Sequence, residues 1–197
     1  PDRTTSFTYD QLDRLVTLTE PEAEQVEAAG TVRPFAPETQ YTYDRVGRLT
    51  KTVDPLTRVT ETKYDDAARK ETVTLPAVAQ VTGTIPNLTT VTESPTSITV
   101  RDTNGNVVSL TDANKNETTF TFDARNRLET KTLPTISGLG ASVFTYTYDT
   151  ADNVASVTAP ATNNAAGPRD RRTTYRYDAL HRLTLETRPA PGGLEKR

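Results

Sequence analysis

Hydrophobic and polar residues alternate with a period of two along most of this chain, which is typical of β-strands. Tyr41 and Tyr43 are two positions apart and therefore project from one face of a strand, and Leu49 begins a second strand. Between them, Asp44 can bond the backbone two residues on, and Gly47 can adopt a positive φ. This stretch predicts a β-hairpin.

The same hairpin pattern occurs seven times, with turn aspartates at Asp10, Asp44, Asp65, Asp102, Asp123, Asp149 and Asp178. In six copies an aromatic residue precedes the aspartate: Tyr9, Tyr43, Tyr64, Phe122, Tyr148 and Tyr177. The third residue after the aspartate is Asp13, Gly47, Ala68, Gly105, Asn126, Asp152 or His181. All of these except Ala68 tolerate a left-handed backbone, so we predict a left-handed residue at this position.

The shortest spacing of the turn aspartates, from Asp44 to Asp65, is 21 residues. A weaker second turn lies between them, at 52–60 in one unit and 110–118 in another, so each unit is predicted to contain two short strands and two turns. The longer spacings contain insertions predicted as elongated loops. These insertions are residues 21–37, 76–95, 134–140 and 159–170. Within the first, residues 22–29, closed by Gly30, fit a short helix.

A two-stranded unit cannot bury its own aromatic face, so the units are expected to stack side by side into an extended, curved antiparallel sheet. This all-β arrangement would make the tyrosines a shared core, and Tyr43→Ala is then expected to destabilise the protein by roughly 3 to 5 kcal/mol. Exposed outer strands make self-association or pairing with further repeats an expectation. Recurring arginines are predicted to pair across strands with the turn carboxylates: Arg14, Arg48, Arg69, Arg127 and Arg182.

Composition restricts the classes of function. The 197 residues are 34% hydrophobic and carry a net charge of -3, which argues against nucleic acid or an anionic membrane as the main partner. The sequence has no cysteine, so it has no disulfide and no thiol nucleophile. No apolar run is long enough to span a bilayer. The absence of methionine and the start at Pro1 suggest a processed product or an excised piece.

Candidate chemical groups are better explained as turn residues, so we predict no catalytic, metal-binding or cofactor-binding residue and no enzyme activity. His181 is the single histidine and occupies the left-handed turn position; a Ser-His-Asp triad using it has no other support. The stretch 102–106 superficially resembles a calcium loop, but its glycine is fourth where an EF-hand needs the sixth. The adjacent acids Asp65 and Asp66 point apart and do not suit glycoside hydrolysis.

The core Tyr-Asp-x-x-Gly-Arg-Leu at 43–49, with its degraded copies, resembles the YD repeat of the RHS family over essentially the whole chain. The residues assigned to this structural repeat motif are Tyr9, Asp10, Tyr43, Asp44, Gly47, Arg48, Tyr64, Asp65, Asp102, Gly105, Phe122, Asp123, Tyr148, Asp149, Tyr177 and Asp178. The resemblance implies β-strand spirals that close into hollow shells. In bacterial polymorphic toxins and Tc-toxin C components such shells enclose a toxic domain, whereas in teneurins a similar barrel serves cell adhesion.

The chain lacks the family's self-cleaving core region and any toxin-like segment after Leu183. We therefore interpret residues 1–197 as a single repeat segment of a shell that encapsulates or presents a toxic or effector polypeptide. Its implied partners are further RHS repeats of the parent chain and the enclosed polypeptide, in a secreted or cell-surface setting. The alternative is an extracellular adhesion module, whose aromatic stripe or insertions bind a glycan or a surface protein.

Overall fold

The computed structural model describes residues 3–26, 30, 32–135, 142–160 and 171–189. All regular structure in these residues is β-strand, and none of them is helical. The strands are β1 Ser6–Tyr9, β2 Leu15–Thr19, β3 Ala23–Val26, β4 Val32–Phe35, β5 Glu38–Tyr43, β6 Leu49–Val53, β7 Val59–Asp65, β8 Lys70–Thr74, β9 Val78–Thr84, β10 Asn87–Glu93, β11 Thr96–Arg101, β12 Val107–Thr111, β13 Glu117–Phe122, β14 Leu128–Leu133, β15 Ser142–Tyr148, β16 Val154–Ala159, β17 Arg171–Tyr177 and β18 Leu183–Thr187.

Fourteen strands form one antiparallel sheet, which confirms the predicted all-β fold. Their order is β1-β2-β5-β6-β7-β8-β11-β12-β13-β14-β15-β16-β17-β18, so the sheet follows the chain apart from two insertions. The chain divides into two compact units, residues 1–66 with 71–97 and residues 67–70 with 98–197. Each unit contains the same kind of hairpin. The description of the chain as a single repeat segment stays a prediction.

The two faces of the sheet differ in chemistry. In β5, Thr39, Tyr41 and Tyr43 are half-buried on one face, while Glu38 and Gln40 are exposed on the other. Strand β15 alternates in the same way, with its aromatic residues half-buried and its threonines exposed. No hydrophobic side chain of the described residues is fully buried. The tyrosines predicted to form a core shared between neighbouring hairpins are thus half-buried rather than fully buried.

Six hairpins share one irregularity that the alternation of residue types did not predict. In β5–β6, Thr42 pairs with Lys51 but Tyr43 pairs with Leu49, so Thr50 is an extra residue on the second strand. Such a β-bulge bends the strand and increases its right-handed twist. Six hairpins have it at the same place, with the extra residues Val16, Thr50, Val108, Glu129, Ala155 and Thr184.

Successive hairpins also pair with one another in a constant register. Two reference residues define this register: the Leu or Val that begins the second strand of one hairpin, and the aromatic residue that ends the first strand of the next hairpin. The residue two positions after the Leu or Val lies opposite the residue three positions before the aromatic residue. The five pairs that show this are Thr17↔Gln40, Lys51↔Glu61, Ser109↔Thr119, Thr130↔Thr145 and Ser156↔Thr174. Because register sets which side chains meet, each hairpin offers the same positions to the next.

Two of the predicted loops are in fact β-hairpins. Strands β3 and β4 pair within the insertion 21–37, and β9 and β10 pair within the insertion 76–95. The helix predicted over 22–29 is wrong for the part described, because Ala23–Val26 is a strand; residues 27–29 lie outside the described residues. A helix this short is marginal in water, whereas the strand gains a partner. Residues 136–140 and 161–170 of the other two insertions also lie outside.

The two described insertions, within 21–37 and 76–95, lie at the opposite end of their strands from the neighbouring Tyr-Asp turns. Backbone bonds close the base of each described insertion, from Glu20 N to Pro37 O at 2.8 Å and from Leu75 N to Pro95 O at 2.8 Å. Consecutive turns of an antiparallel meander lie at alternate ends of the strands, and each of these two insertions follows the second strand of a hairpin.

Candidate functional site

The turn at Asp44 shows how the repeat motif folds locally. Its backbone N–H donates to the carbonyl of Arg48 at 2.9 Å, and the Gly47 N–H donates to the Asp44 carbonyl at 3.2 Å. The carboxylate oxygen Oδ1 accepts the backbone N–H groups of Val46 at 3.0 Å and Arg48 at 2.9 Å. One aspartate therefore satisfies the turn's free donors, which is why an acid is needed there.

The same carboxylate geometry occurs at eight turns of the described chain, at Asp10, Asp44, Asp54, Asp102, Asp112, Asp123, Asp149 and Asp178. Two of these, Asp54 and Asp112, belong to the second turns that the sequence suggested were weaker. They accept the same pair of backbone N–H groups as the others, and they differ in lying at the opposite end of the strands from the Tyr-Asp turns.

The predicted left-handed position is confirmed in six of the seven repeats. The residues with positive φ there are Asp13, Gly47, Gly105, Asn126, Asp152 and His181. Ala68, the one unsuitable residue, does not adopt this conformation; its neighbour Arg69 does, with φ 49°. The hairpin between β7 and β8 thus turns one residue later than the others.

The second carboxylate oxygen holds the side chain four residues on, which is arginine or asparagine. Arg14, Arg48, Arg127 and Arg182 pair with their turn aspartates, as predicted. The Nε of Arg69 donates to the Arg101 carbonyl at 3.2 Å. In other turns asparagine takes the place of arginine, at Asn106, Asn116 and Asn153.

These contacts lower the pKa values of turn aspartates. The hydrogen bond from the Arg14 side chain holds the pKa of Asp10 below its ordinary value. The side-chain bond from Arg127 lowers the pKa of Asp123 in the same way, and that from Asn106 lowers the pKa of Asp102. The turn carboxylates are therefore stabilised as anions and are unsuited to donate a proton near neutral pH.

The arginine of one hairpin also binds the next hairpin, and we call this contact the joint. Arg14 donates from Nη1 to the Asp44 carbonyl at 3.1 Å. Its guanidinium carbon lies 4.8 Å from the ring centroid of Tyr43, within range of a cation–π contact. The Tyr43 hydroxyl donates to the carbonyl of Leu15 at 2.8 Å. The Arg-Leu pair that follows one turn therefore contacts the tyrosine of the next hairpin.

Two further joints repeat this arrangement. Arg48 stacks on Tyr64 at 4.2 Å, and the Tyr64 hydroxyl donates to the Leu49 carbonyl at 3.1 Å. Arg127 stacks in the same way on the ring of Tyr148 at 4.4 Å, and that hydroxyl donates to the Leu128 carbonyl at 2.8 Å. Burial in the joint raises the pKa of Tyr148.

Neighbouring turns are also linked directly by polar side chains. Arg48 pairs with Asp66 at 2.5 Å, and Arg127 pairs with Asp152 of the following turn. Where arginine is absent, amides replace it. Asn104 and Asn106 both donate to the Asn126 side chain, at 2.8 and 3.0 Å. In the last pair of turns, His181 Nδ1 lies 2.8 Å from the side-chain oxygen of Asn153.

The structure places the sequence-predicted motif residues in these turns and joints rather than in one pocket. Tyr9, Tyr43, Phe122, Tyr148 and Tyr177 end the first strand of their hairpins. Asp65 ends strand β7 instead of beginning a turn. The pattern of tyrosine and aspartate did not indicate three residues of the joints. They are Leu15, Leu49 and Leu128, whose backbone carbonyls accept hydrogen bonds from the tyrosine hydroxyls. The recurring Arg-Leu pair was the available signal for them.

The alternative chemical sites find no supporting geometry. Within the described ranges, no three acidic or histidine side chains are grouped to hold a metal ion. Asp102 lies in the calcium-like stretch and bonds Asn104 and Asn106. Asp66 is paired with Arg48. No helix long and apolar enough to cross a membrane occurs in the described parts of the chain.

Comparison with known proteins identifies the repeat. The RHS Repeat family model matches residues 101–135 and 165–192. Over these residues, the matches confirm the resemblance to RHS repeats seen in the sequence. No match was found among curated protein sequences.

Solved structures share the fold. A crystal structure of TcdB2-TccC3 matches with a TM-score of 0.58 and 15% identity over 89% of this chain, and a structure of TcdB2-TccC3-Cdc42 gives the same values. A structure of TcdB2-TccC3 without its hypervariable C-terminal region gives a TM-score of 0.58 at 16% identity. This chain spans 8–9% of the length of those toxin chains. At such identity the likeness shows the fold alone.

Proposed function

We propose that this chain, with its RHS repeats, forms a stretch of wall in the shell of a longer protein, and that the shell encloses a toxic or effector polypeptide. The observation that carries this proposal is the constant register in which successive hairpins pair. The same register recurs at five boundaries between hairpins. Because each hairpin pairs with the next one through the same positions, hairpins of this kind can form a continuous sheet of any length.

The fold neighbours support the enclosed partner. The TcdB2-TccC3 chains are much longer than this chain, which covers 9% of them. One of them was determined without a hypervariable C-terminal region. That protein therefore has a hypervariable C-terminal region, and we propose that the parent of this chain has a comparable variable region, which the shell encloses. The partners are then further RHS repeats of the parent chain and the enclosed polypeptide, in a secreted or cell-surface protein.

We infer a structural rather than a catalytic role from how the charged groups are used. The turn carboxylates accept backbone N–H groups, as Asp44 and Asp123 do. The arginines that could bind an anionic substrate are held instead by carboxylates and tyrosine rings, as Arg127 is. No observation in the described residues or in the comparisons favours the alternative of an adhesion module.

The enclosure is tested by electron microscopy of the full-length parent protein. We expect a hollow particle in which the repeats surround density for the enclosed polypeptide. A solid rod with no internal volume would overturn the proposal.

Protease protection gives a second readout. In the parent protein, Arg127→Ala removes a joint, whereas Arg58→Ala removes an arginine that pairs with Asp54 at the insertion end. If the wall protects the enclosed polypeptide, its digestion rate should rise with Arg127→Ala and stay near the parent value with Arg58→Ala. Equal digestion in all three proteins would contradict enclosure by this wall.

A further inference from the structure

The hairpin of β9 and β10 forms a two-stranded sheet of its own, apart from the fourteen-stranded sheet. No third strand of the described residues pairs with it, and every residue of both strands is exposed. We propose that the β9 strands of two copies of this chain pair antiparallel, so that two hairpins form one four-stranded sheet and the copies form a dimer. This inference goes beyond the proposed shell and does not depend on it.

The hairpin lies within the chain, between strands β8 and β11, which are neighbours in the large sheet. A backbone bond from Leu75 N to Pro95 O at 2.8 Å closes its base. Further repeats of the parent chain would extend the large sheet at its outermost strands, β1 and β18, rather than at this hairpin. The open edge of β9 is therefore a feature of the insertion itself.

Strand β9 lacks the features that usually prevent strands from pairing. Proteins protect open strands with charged residues, proline, bulges or short length. Strand β9 has the sequence VAQVTGT, which contains no charged residue and no proline, and it pairs with β10 over its full length without a register shift. The other described insertion differs, because β3 and β4 are only four residues long and β4 contains Pro34. The chain thus protects one insertion hairpin and leaves the other unprotected.

The composition of this insertion also differs from that of the whole chain. Charged residues make up 25% of the sequence, but residues 76–95 contain only one, Glu93. Apolar side chains are exposed instead, with Val81 67% exposed and Leu88 52% exposed. An exposed strand that is apolar, uncharged and free of proline is typical of a surface that pairs with another polypeptide.

A twofold axis at Val81 gives the register of the proposed pair. Val81 is the middle residue of β9, so the two strands overlap over their full length. Val81 then lies opposite Val81 of the second copy, and Gln80 lies opposite Thr82. Antiparallel pairing places the base of each hairpin beside the tip of the other, so the two bases lie roughly 20 Å apart. The rest of each chain therefore lies at opposite ends of the new sheet.

A second copy supplies what one hairpin lacks. An isolated two-stranded hairpin is marginally stable in water, whereas three or more strands with an apolar face can be stable. Pairing through β9 gives four strands in the order β10-β9-β9-β10 and brings no charged side chain to the contact. Pairing through β10 would instead include Glu93. Because an interface with twofold symmetry is closed, association is expected to stop at the dimer.

Sedimentation velocity of the full chain tests the association over a roughly hundredfold range of concentration, because mass action makes a dimer depend on concentration. The natural chain is expected to shift from monomer to dimer. Val81→Lys should remain a monomer, because two lysines would lie directly opposite each other at the axis. Val46→Lys is the matched control, since Val46 is 74% exposed but lies in the Asp44 turn; it should dimerise like the natural chain. Monomers throughout for the natural chain, or undiminished dimer formation by Val81→Lys, would overturn the proposal.

Cysteine cross-linking tests which strand forms the contact. The sequence contains no cysteine, so an introduced thiol is the only one. Directly opposite residues of antiparallel strands have Cα atoms about 4.5 to 5.5 Å apart, within the range that a disulfide spans. With oxidised glutathione as the oxidant, Val81→Cys should become a covalent dimer. Thr90→Cys is the control, because Thr90 lies opposite Val81 on β10 of the same hairpin, and it should stay a monomer. Equal or faster cross-linking of Thr90→Cys would contradict pairing through β9.

Discussion

Replacing Tyr43 tests how much the joint stabilises the protein. Tyr43→Phe removes the hydroxyl that donates to the Leu15 carbonyl and keeps the ring. One such bond contributes about 1 kcal/mol net. Tyr43→Ala also removes the stacking with Arg14, worth roughly 0.5 to 1 kcal/mol, and the half-burial of the ring, worth about 1 kcal/mol. We therefore expect Tyr43→Ala to lower the free energy of unfolding by about 3 kcal/mol, the lower limit for truncating a fully buried aromatic residue.

The measurement is urea unfolding followed by circular dichroism, with the free energy of unfolding extrapolated to water. Tyr9 provides the matched control, because it ends the first strand of its hairpin in the same way but is 58% exposed. Tyr9→Ala should cost no more than about 0.5 kcal/mol in dilute solution. If Tyr43→Ala and Tyr9→Ala had equal effects, the joint would not be a source of stability and our reasoning would be refuted.

Three further predictions concern the turns. Gly47→Ala should destabilise the protein by about 1 kcal/mol in urea unfolding, because alanine is strained at φ 88°; Gly47→Asn should cost less. Arg127→Lys should destabilise more than Arg58→Lys, since lysine cannot combine the carboxylate pairing with planar stacking; equal losses would argue against the joint. The melting temperature should stay level above about pH 5 and fall below about pH 4, because the lowered pKa values of Asp10 and Asp123 stabilise the fold only while these groups are ionised. A melting temperature unchanged at low pH would contradict this linkage.

The sequence predicted the features that depend on local chemistry. A turn aspartate, a left-handed residue three positions later and an arginine partner can be recognised from short stretches, since each acts within five residues. Ala68 was recognised as unsuitable, and the structure shows that the turn there shifts to Arg69. The equivalence of Asp54 was underestimated, because no aromatic residue precedes it to mark the repeat.

Several details of how the strands pair were not predicted, although the antiparallel sheet itself was. Thr50 fits the alternation as well as its neighbours, so nothing local shows that it is an extra, unpaired residue. Residues 22–29 have helix-favouring composition, but pairing of β3 with β4 overrides that preference. The insertion 76–95 was assigned as a loop from its content of Pro, Gly, Ala and Thr, although threonine favours the strands that form there.

The agreement between strand order and chain order bears on how the protein folds. Except at the two described insertions, each strand of the sheet pairs with the strand that comes next in the sequence. Contacts are therefore local, and the entropy lost in closing each loop is small. Folding of such chains is fast compared with that of β-proteins whose partners are distant in sequence. During synthesis, each hairpin can pair with the one before it as soon as it leaves the ribosome, which limits the time that an unpaired strand is open to aggregation.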